Sequence, residues 1–262
     1  MFLKREDVTF SNKKWHSDKI RNRDNLKLSA LLRFQSKQKV VIVCHGFTGS
    51  KEGGGRAVEM ADNLADIGFS TLLFDFAGCG ESEGYWCDLT LTGQVNDLKS
   101  VIEWCKLKGF EDIFLTGRSF GGSTALSCAS GENNNIKAVC TWAAVAKPAE
   151  LFNSLLSDKL DGPGEDKIEI IDETGAAYQL KKNFFYDLEN HDILDHASRI
   201  APGKLLIIHG TDDQTVPVKQ ARDIYEAANE PRQLFIVEGA DHRFSNHIKP
   251  VWDYFFQWLA DI

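Results

Sequence analysis

A serine stands between two glycines, each two positions away, in Gly117-Arg118-Ser119-Phe120-Gly121. The apolar run Ile113 to Leu115 comes before it and the small-residue stretch Gly122-Ser123-Thr124-Ala125 follows, which puts the serine at a junction of strand and helix. A residue on so sharp a turn needs neighbours without a Cβ, and the two glycines supply them. The competing reading is a plain glycine-rich turn that packs a helix onto a sheet. As a nucleophile, a serine hydroxyl needs a base within hydrogen-bond reach. Among seven histidines, His242 has the matching address: it lies in Glu238-Gly239-Ala240-Asp241-His242, just past the apolar run Leu234 to Val237. His209 ends the preceding strand, whereas His16, His191, His196 and His247 have no comparable setting.

A base of this kind also needs an ionised acid to fix its tautomer and stabilise the imidazolium that forms. The segment from Lys204 to Pro217 offers two at a strand end, Asp212 and Asp213, and the residues themselves leave open which points inward. Developing negative charge on a substrate oxygen calls for a pair of backbone donors. The amide of Phe120, directly after the serine, is one candidate. The amide of Phe47 is the other, in the loop His45-Gly46-Phe47-Thr48-Gly49 that follows the run Val40 to Cys44.

The elements that must carry these residues are visible as short, nearly continuous apolar runs: Val40 to Cys44, Thr71 to Phe74, Ile113 to Leu115, Ala138 to Trp142, Leu205 to Ile208 and Leu234 to Val237. Strands buried on both faces read this way. Between them, Val95, Leu98, Val101, Ile102 and Cys105 fall on one helical stripe, as do Ile248, Val251, Trp252, Phe255, Phe256 and Leu259. The alternation predicts an α/β fold with a doubly wound, mostly parallel sheet. An antiparallel start is expected from Val8 to Ser11 and Leu26 to Phe34, with a turn at Asn22 to Asn25.

The strand–helix rhythm breaks over residues 146–198, predicting an insertion between core segments 1–145 and 199–262. It holds a helix near Ala149 to Leu156 and the turn-prone Asp161-Gly162-Pro163-Gly164. A hairpin then pairs Ile168 to Ile171 with Ala177 to Leu180 across Asp172 to Gly175. Phe184, Phe185 and Tyr186 are candidates to line a substrate pocket beneath this lid, or else to form its own small core, the preferred reading.

Composition sets the outer limits. With 43% hydrophobic and 26% charged residues among 262, the chain can bury a large core. A formal charge of −8 gives no overall attraction to nucleic acid or an anionic membrane surface. No apolar run approaches a membrane span or an export signal, so a cytoplasmic protein is expected. Six cysteines (Cys44, Cys79, Cys87, Cys105, Cys128 and Cys140), several within core elements, are expected to be free thiols. No zinc-type spacing is present.

From about Lys39 to Ile262 the chain resembles the α/β-hydrolase superfamily. Four ordered motifs carry the resemblance: His45-Gly46-Phe47; Asp75-Phe76-Ala77-Gly78-Cys79-Gly80-Glu81-Ser82; Gly117 to Gly121; and His209-Gly210-Thr211-Asp212-Asp213-Gln214-Thr215-Val216-Pro217 with Asp241-His242 behind it. In relatives with the pattern His-Gly-x-x-Asp-x-x-Val-Pro the acid is the fifth residue, which implies Asp213. Within the superfamily the chain looks most like small carboxylesterases of the cinnamoyl and feruloyl type, with their His-Gly-Phe-Thr loop and hairpin-bearing lid. Two positions depart from that pattern: Arg118 and Cys79 stand where histidine is frequent. The resemblance implies a serine esterase with catalytic Ser119, His242 and Asp213, acting on a small-molecule ester without cofactor or metal. Serine at the elbow argues against haloalkane dehalogenases, which use aspartate there, and dienelactone hydrolases, which use cysteine. The rivals are an acylaminoacyl-peptidase-like or thioesterase activity on the same residues, and a noncatalytic binding protein of the same fold.

Overall fold

The computed structural model describes residues 15–131, 136–160, 166–171, 175–200 and 203–262. In chain order these form β1 (Trp15–Arg21), β2 (Lys27–Arg33), β3 (Lys39–Cys44), α1 (Arg56–Asp66), β4 (Ser70–Phe74), α2 (Leu91–Leu107), β5 (Asp112–Arg118), α3 (Phe120–Ala129) and β6 (Ile136–Trp142). The insertion follows with α4 (Pro148–Leu160), β7 (Lys167–Ile171), β8 (Ala177–Lys181), α5 (Asn183–Leu188) and α6 (Ile193–Ser198). The core then resumes with β9 (Lys204–Gly210), α7 (Lys219–Ala227), β10 (Arg232–Val237) and α8 (Ile248–Ala260).

Eight strands form one sheet in the order β1-β2-β4-β3-β5-β6-β9-β10. The six from β4 to β10 pair in parallel, while β2 runs antiparallel to both β1 and β4. Each parallel strand is apolar on both faces because each face is covered. In β3, Val40, Ile42 and Cys44 enter one core and Val41 the other; in β9, Leu205 and Ile207 divide from Leu206 and Ile208 in the same way. Helices α1 and α8 cover one face, with Met60, Leu64, Val251 and Phe255. The other face packs against α2, α3 and α7 through Leu98, Leu126 and Ile224, among others. This is the α/β sheet the alternating runs predict. It also explains why the helical stripe Val95, Leu98, Val101, Ile102 and Cys105 is buried along its whole length.

At the amino-terminal edge the turn lies where expected, with Asn25 N–H donating to Asn22 O at 3.1 Å. The strand pairing with β2 across that turn is β1, Trp15–Arg21. The expected run Val8 to Ser11 lies outside the described residues.

The insertion contains the expected helix and hairpin. In β7 the buried residues alternate strictly, Ile168 and Ile170 facing inward and their neighbours outward, as a strand with one solvated face requires. Two short helices, α5 and α6, fill the stretch before β9. The turn-prone Asp161 to Gly164 and residues 172–174 of the hairpin turn lie outside the described residues. Among the described residues no helix is long and apolar enough to cross a membrane. All six cysteines are free thiols.

Candidate active site

The turn after β5 holds Ser119 at φ 55°, ψ −124°, a backbone conformation that a residue with a side chain adopts at a cost of about 1–3 kcal/mol. Packing leaves little alternative. Ser119 N–H donates to Trp142 O at 2.8 Å on the neighbouring strand, and Ser119 O accepts from Gly122 N–H at 2.9 Å as α3 begins. A Cβ at Gly121 would fall on the carbonyl oxygens of Cys44 and His45, and one at Gly117 on the backbone of Gly121. The two glycines thus let β5, α3 and the end of β3 meet at backbone distance, and the serine is pushed outward. Phe120 is the first residue of α3, so its amide has no acceptor within the helix.

On the loop after β10, His242 Nδ1–H donates to Asp213 Oδ2 at 2.7 Å. That bond leaves Nε2 as the imidazole's acceptor. The Asp213 carboxylate is fully buried on its side chain and well supplied with donors. Its Oδ1 accepts from the amides of Thr215 at 2.9 Å and Val216 at 2.8 Å. His209 Nε2 lies 3.1 Å from Oδ2 and 2.8 Å from the Val216 carbonyl. Because a carbonyl can only accept, that nitrogen carries the hydrogen. Burial alone would raise the Asp213 pKa, but the hydrogen bonds from His209 and His242 outweigh it and hold the carboxyl well below the usual range. Asp212, by contrast, is exposed.

The loop after β3 is anchored from two directions. His45 is buried, donates from Nδ1 to Gly46 O at 2.8 Å and accepts from Phe76 N–H at Nε2 at 3.2 Å. Burial lowers its pKa, consistent with a neutral ring serving as both donor and acceptor. Lys51, with its side chain only 5% exposed, reaches Asp75 at 2.9 Å, Glu81 at 2.7 Å and Glu52 at 3.1 Å. Burial opposes its charge, yet these carboxylates raise its pKa. Asp75 Oδ1 also accepts from Lys51 N–H at 2.7 Å. The motif beginning at Asp75 therefore ties this loop to the end of β4. The loop lies against the elbow, since a Cβ built at Gly46 comes within 3.6 Å of Ser119 Cβ.

Ser119, His242, Phe47 and Val216 line one cavity of about 680 Å³ at the carboxyl ends of the strands. The lid contributes Leu151, Phe152 and Leu155, all from α4. Phe184, Phe185 and Tyr186 do not line it. Phe184 is fully buried and Phe185 nearly so, in contact with each other at 5.3 Å between ring centroids, while Tyr186 is 64% exposed. Their place on the short helix α5 turns two inward to the lid core and one to solvent, which is the core reading rather than the pocket one. Phe47, Phe120, Phe152 and Phe184 form a ring cluster with centroids 4.8–5.9 Å apart, so Phe184 supports the cavity wall from behind. The pocket face of α4 was legible in principle from Leu151, Phe152 and Leu155 at helical spacing. The link from His209 to Asp213 carried no sequence signal beyond a histidine at a strand end. Among the described residues, no group of three or more His, Cys, Asp or Glu is placed to hold a metal ion.

A mostly parallel sheet with helices on both faces, a serine on a strained turn after β5 and a lid between β6 and β9 define the α/β-hydrolase fold. The α/β-hydrolase-fold family model matches residues 39–165, and the chain shares that fold with the solved structure that follows. Est1E from Butyrivibrio proteoclasticus, solved with ferulic acid bound, superposes with a TM-score of 0.83 at 26% identity, over 92% of this chain and 98% of that one. Among curated relatives, the uncharacterized protein YfhR of Escherichia coli O157:H7 is 24% identical over 77% of this chain and 62% of its own length. The lysophosphatidylserine lipase ABHD12 of Danio rerio is 23% identical over 77% of this chain and 50% of its own. The chain thus spans between half and two thirds of the length of these two relatives.

Proposed function

We propose that the protein is a carboxylic-ester hydrolase working through an acyl-enzyme on Ser119, with His242 as base and Asp213 as the acid that orients it. The observation that carries this reading is the 2.7 Å bond from His242 Nδ1 to a buried Asp213 carboxylate, on a histidine that shares its cavity with Ser119. Such an arrangement leaves imidazole Nε2 free to take a proton, which is the role a serine nucleophile requires of its base.

In the first half-reaction His242 takes the Ser119 proton as the hydroxyl attacks the ester carbonyl. The amides of Phe47 and Phe120 hold the oxyanion. The imidazolium, stabilised by ionised Asp213, then gives its proton to the leaving alkoxide, and the C–O ester bond breaks. In the second, water attacks the acyl-enzyme by the same route and restores the free serine. The esterase and lipase names among the similar proteins favour esters over amides and thioesters as substrates.

A fluorophosphonate probe tests the enzyme reading. It should label the wild-type protein at Ser119 and leave Ser119→Ala unlabelled; folded wild-type protein that stays unlabelled would favour the binding-protein alternative. A panel of short-acyl, long-acyl, aryl, thioester and peptide substrates tests the class, and dominant turnover of peptides or thioesters overturns the esterase reading.

A further inference from the structure

A fully buried histidine is out of place among the apolar residues of a core strand. In β9, Leu205, Leu206, Ile207 and Ile208 lead to His209, and all five are buried, His209 completely. Burying a polar ring is unfavourable unless a hydrogen bond offsets the lost water. Nδ1 of this ring is buried without a hydrogen-bond partner among the described residues, so the offset comes from Nε2. That nitrogen faces two acceptors at once, the Val216 carbonyl at 2.8 Å and Asp213 Oδ2 at 3.1 Å.

The second acceptor is the oxygen bonded by His242 Nδ1–H at 2.7 Å, while Oδ1 accepts from the amides of Thr215 and Val216. An ionised carboxylate offers about four lone-pair positions, and here each has a donor. The chain around Asp213 is tied on both sides. Before it, Thr211 N–H donates to Val237 O and Asp212 N–H to Ala240 O, both at 3.0 Å, which joins the end of β9 to the loop that carries His242. A Cβ at Gly210 would fall on Ala240 O, so the two segments meet at backbone distance. After Asp213, the Val216 carbonyl is held by His209. One N–H thus bridges the far end of this turn and the carboxylate oxygen itself.

We infer that His209 is a positioning residue for the reaction: by donating from Nε2 to Asp213 Oδ2 and Val216 O together, it keeps that carboxylate oxygen aligned on His242 Nδ1–H. This rests on the esterase reading above and adds to it a residue one step removed from the reacting atoms. His209 does not line the cavity, whereas Val216 and His242 do, so it acts on the chemistry through Asp213. A carboxylate that loses one of its donors turns more freely about its Cβ–Cγ bond, and the fraction of molecules with the acid, the imidazole and the serine in line falls.

The experiment compares His209→Leu, which removes the donor, with His209→Gln, whose side-chain amide keeps one, using a short aryl ester. His209→Leu should lower kcat about ten- to a hundredfold, the factor that corresponds to one hydrogen bond to a charged group, with KM within about twofold of wild type. His209→Gln should recover most of the loss. A KM that rises instead of, or in step with, the fall in kcat means that the ring supports the Val216 wall rather than the acid, and overturns the inference; so does a His209→Gln as slow as His209→Leu. Where His209→Leu does not fold, His209→Asn, whose shorter amide falls short of Oδ2, takes its place. In an Asp213→Asn background His209→Leu should cost no more than about a further twofold, whereas an equal cost in both backgrounds shows that it acts apart from the acid and overturns the inference.

Proton NMR supplies an arm that needs no turnover and separates this inference from the reading beneath it. The Nδ1 proton of His242, bonded to a carboxylate at 2.7 Å, resonates far downfield and is assigned by its loss in His242→Gln. It should move in His209→Leu and return toward its wild-type position in His209→Gln, even where no ester is cleaved. An unmoved resonance sinks the inference, and in a protein that cleaves esters it leaves the esterase reading standing.

Discussion

Asp213 Oδ2 accepts a hydrogen bond from His242 Nδ1–H at 2.7 Å while the neighbouring Asp212 stays exposed. Two adjacent acids in one loop thus occupy unlike environments. Asp213 is turned inward by the amides of Thr215 and Val216 and by His209, and Asp212 has its own amide on Ala240 O at 3.0 Å, with its carboxyl near Thr211. Asp213→Asn should therefore lower kcat by about ten-thousand-fold, through the wrong imidazole tautomer, and Asp212→Asn by no more than about twofold. Steady-state kinetics on a short aryl ester decides between them, and a larger loss in the Asp212 variant reverses the assignment.

The elbow gives a second prediction. Gly121→Ala would place a methyl group on the carbonyl oxygens of Cys44 and His45, both backbone atoms of the strand end that carries the Phe47 loop. Relief requires β3 and α3 to separate. The expected outcome is a loss of stability above about 3 kcal/mol, the upper part of the usual range for single substitutions, or insoluble protein. A variant that unfolds in urea at the wild-type midpoint would mean that the elbow is looser than this packing implies.

How far the sequence disclosed all this depends on how locally each feature is determined. The central strands were legible because residues such as Val40, Val41 and Ile42 meet a core on either side and are apolar without interruption. Ser119 and His242 stood out because polar residues at the ends of such runs have few structural reasons to be there, whereas position alone left Asp212 and Asp213 level and only the family pattern favoured Asp213. β1 was obscured by its position at the sheet edge, where Ser17, Asp18 and Lys19 are exposed and only Ile20 is buried. The helices α5 and α6, six residues each, are too short for a helical period to show. The bond from Arg56 to the Arg243 carbonyl could not be read at all, since it comes from the packing of α1 beside the His242 loop, a long-range property.

The lid makes a third prediction, which separates support from contact. Phe184 has no exposed surface and touches Phe47, Phe120 and Phe152, whereas Tyr186, two residues on, is 64% exposed. Phe184→Ala should cost about 3–5 kcal/mol, the range for emptying a buried phenylalanine site, and raise KM by loosening Phe47 and Phe152. Tyr186→Ala should stay within about 0.5 kcal/mol of wild type. Urea denaturation with a KM measurement checks both. A neutral Phe184→Ala, or a damaging Tyr186→Ala, means that α5 packs the other way round.

The last prediction concerns a carboxyl outside the site. Asp97 on α2 is buried, accepting from Asn22 Nδ2 at 2.7 Å and from Ala77 N–H at 2.8 Å. Burial outweighs these two donors and pushes its pKa up to about 6. An acid with a raised pKa in the folded chain keeps its proton there after the unfolded chain has released it, so stability falls as pH rises across the interval between the two values. With an ordinary carboxyl near pH 4, the interval runs from about 4 to about 6, and the loss across it is on the order of 3 kcal/mol. Other groups titrate in the same range, and Asp213 contributes with the opposite sign because its pKa is lowered. Comparison with Asp97→Asn isolates the one group: wild-type stability minus variant stability should decline between about pH 4 and pH 6 and level off above it. Urea midpoints across that range measure the difference directly. A difference that stays flat or climbs with pH would show that Asp97 is ionised in the fold at little cost, and that Asn22 and the Ala77 amide solvate it fully.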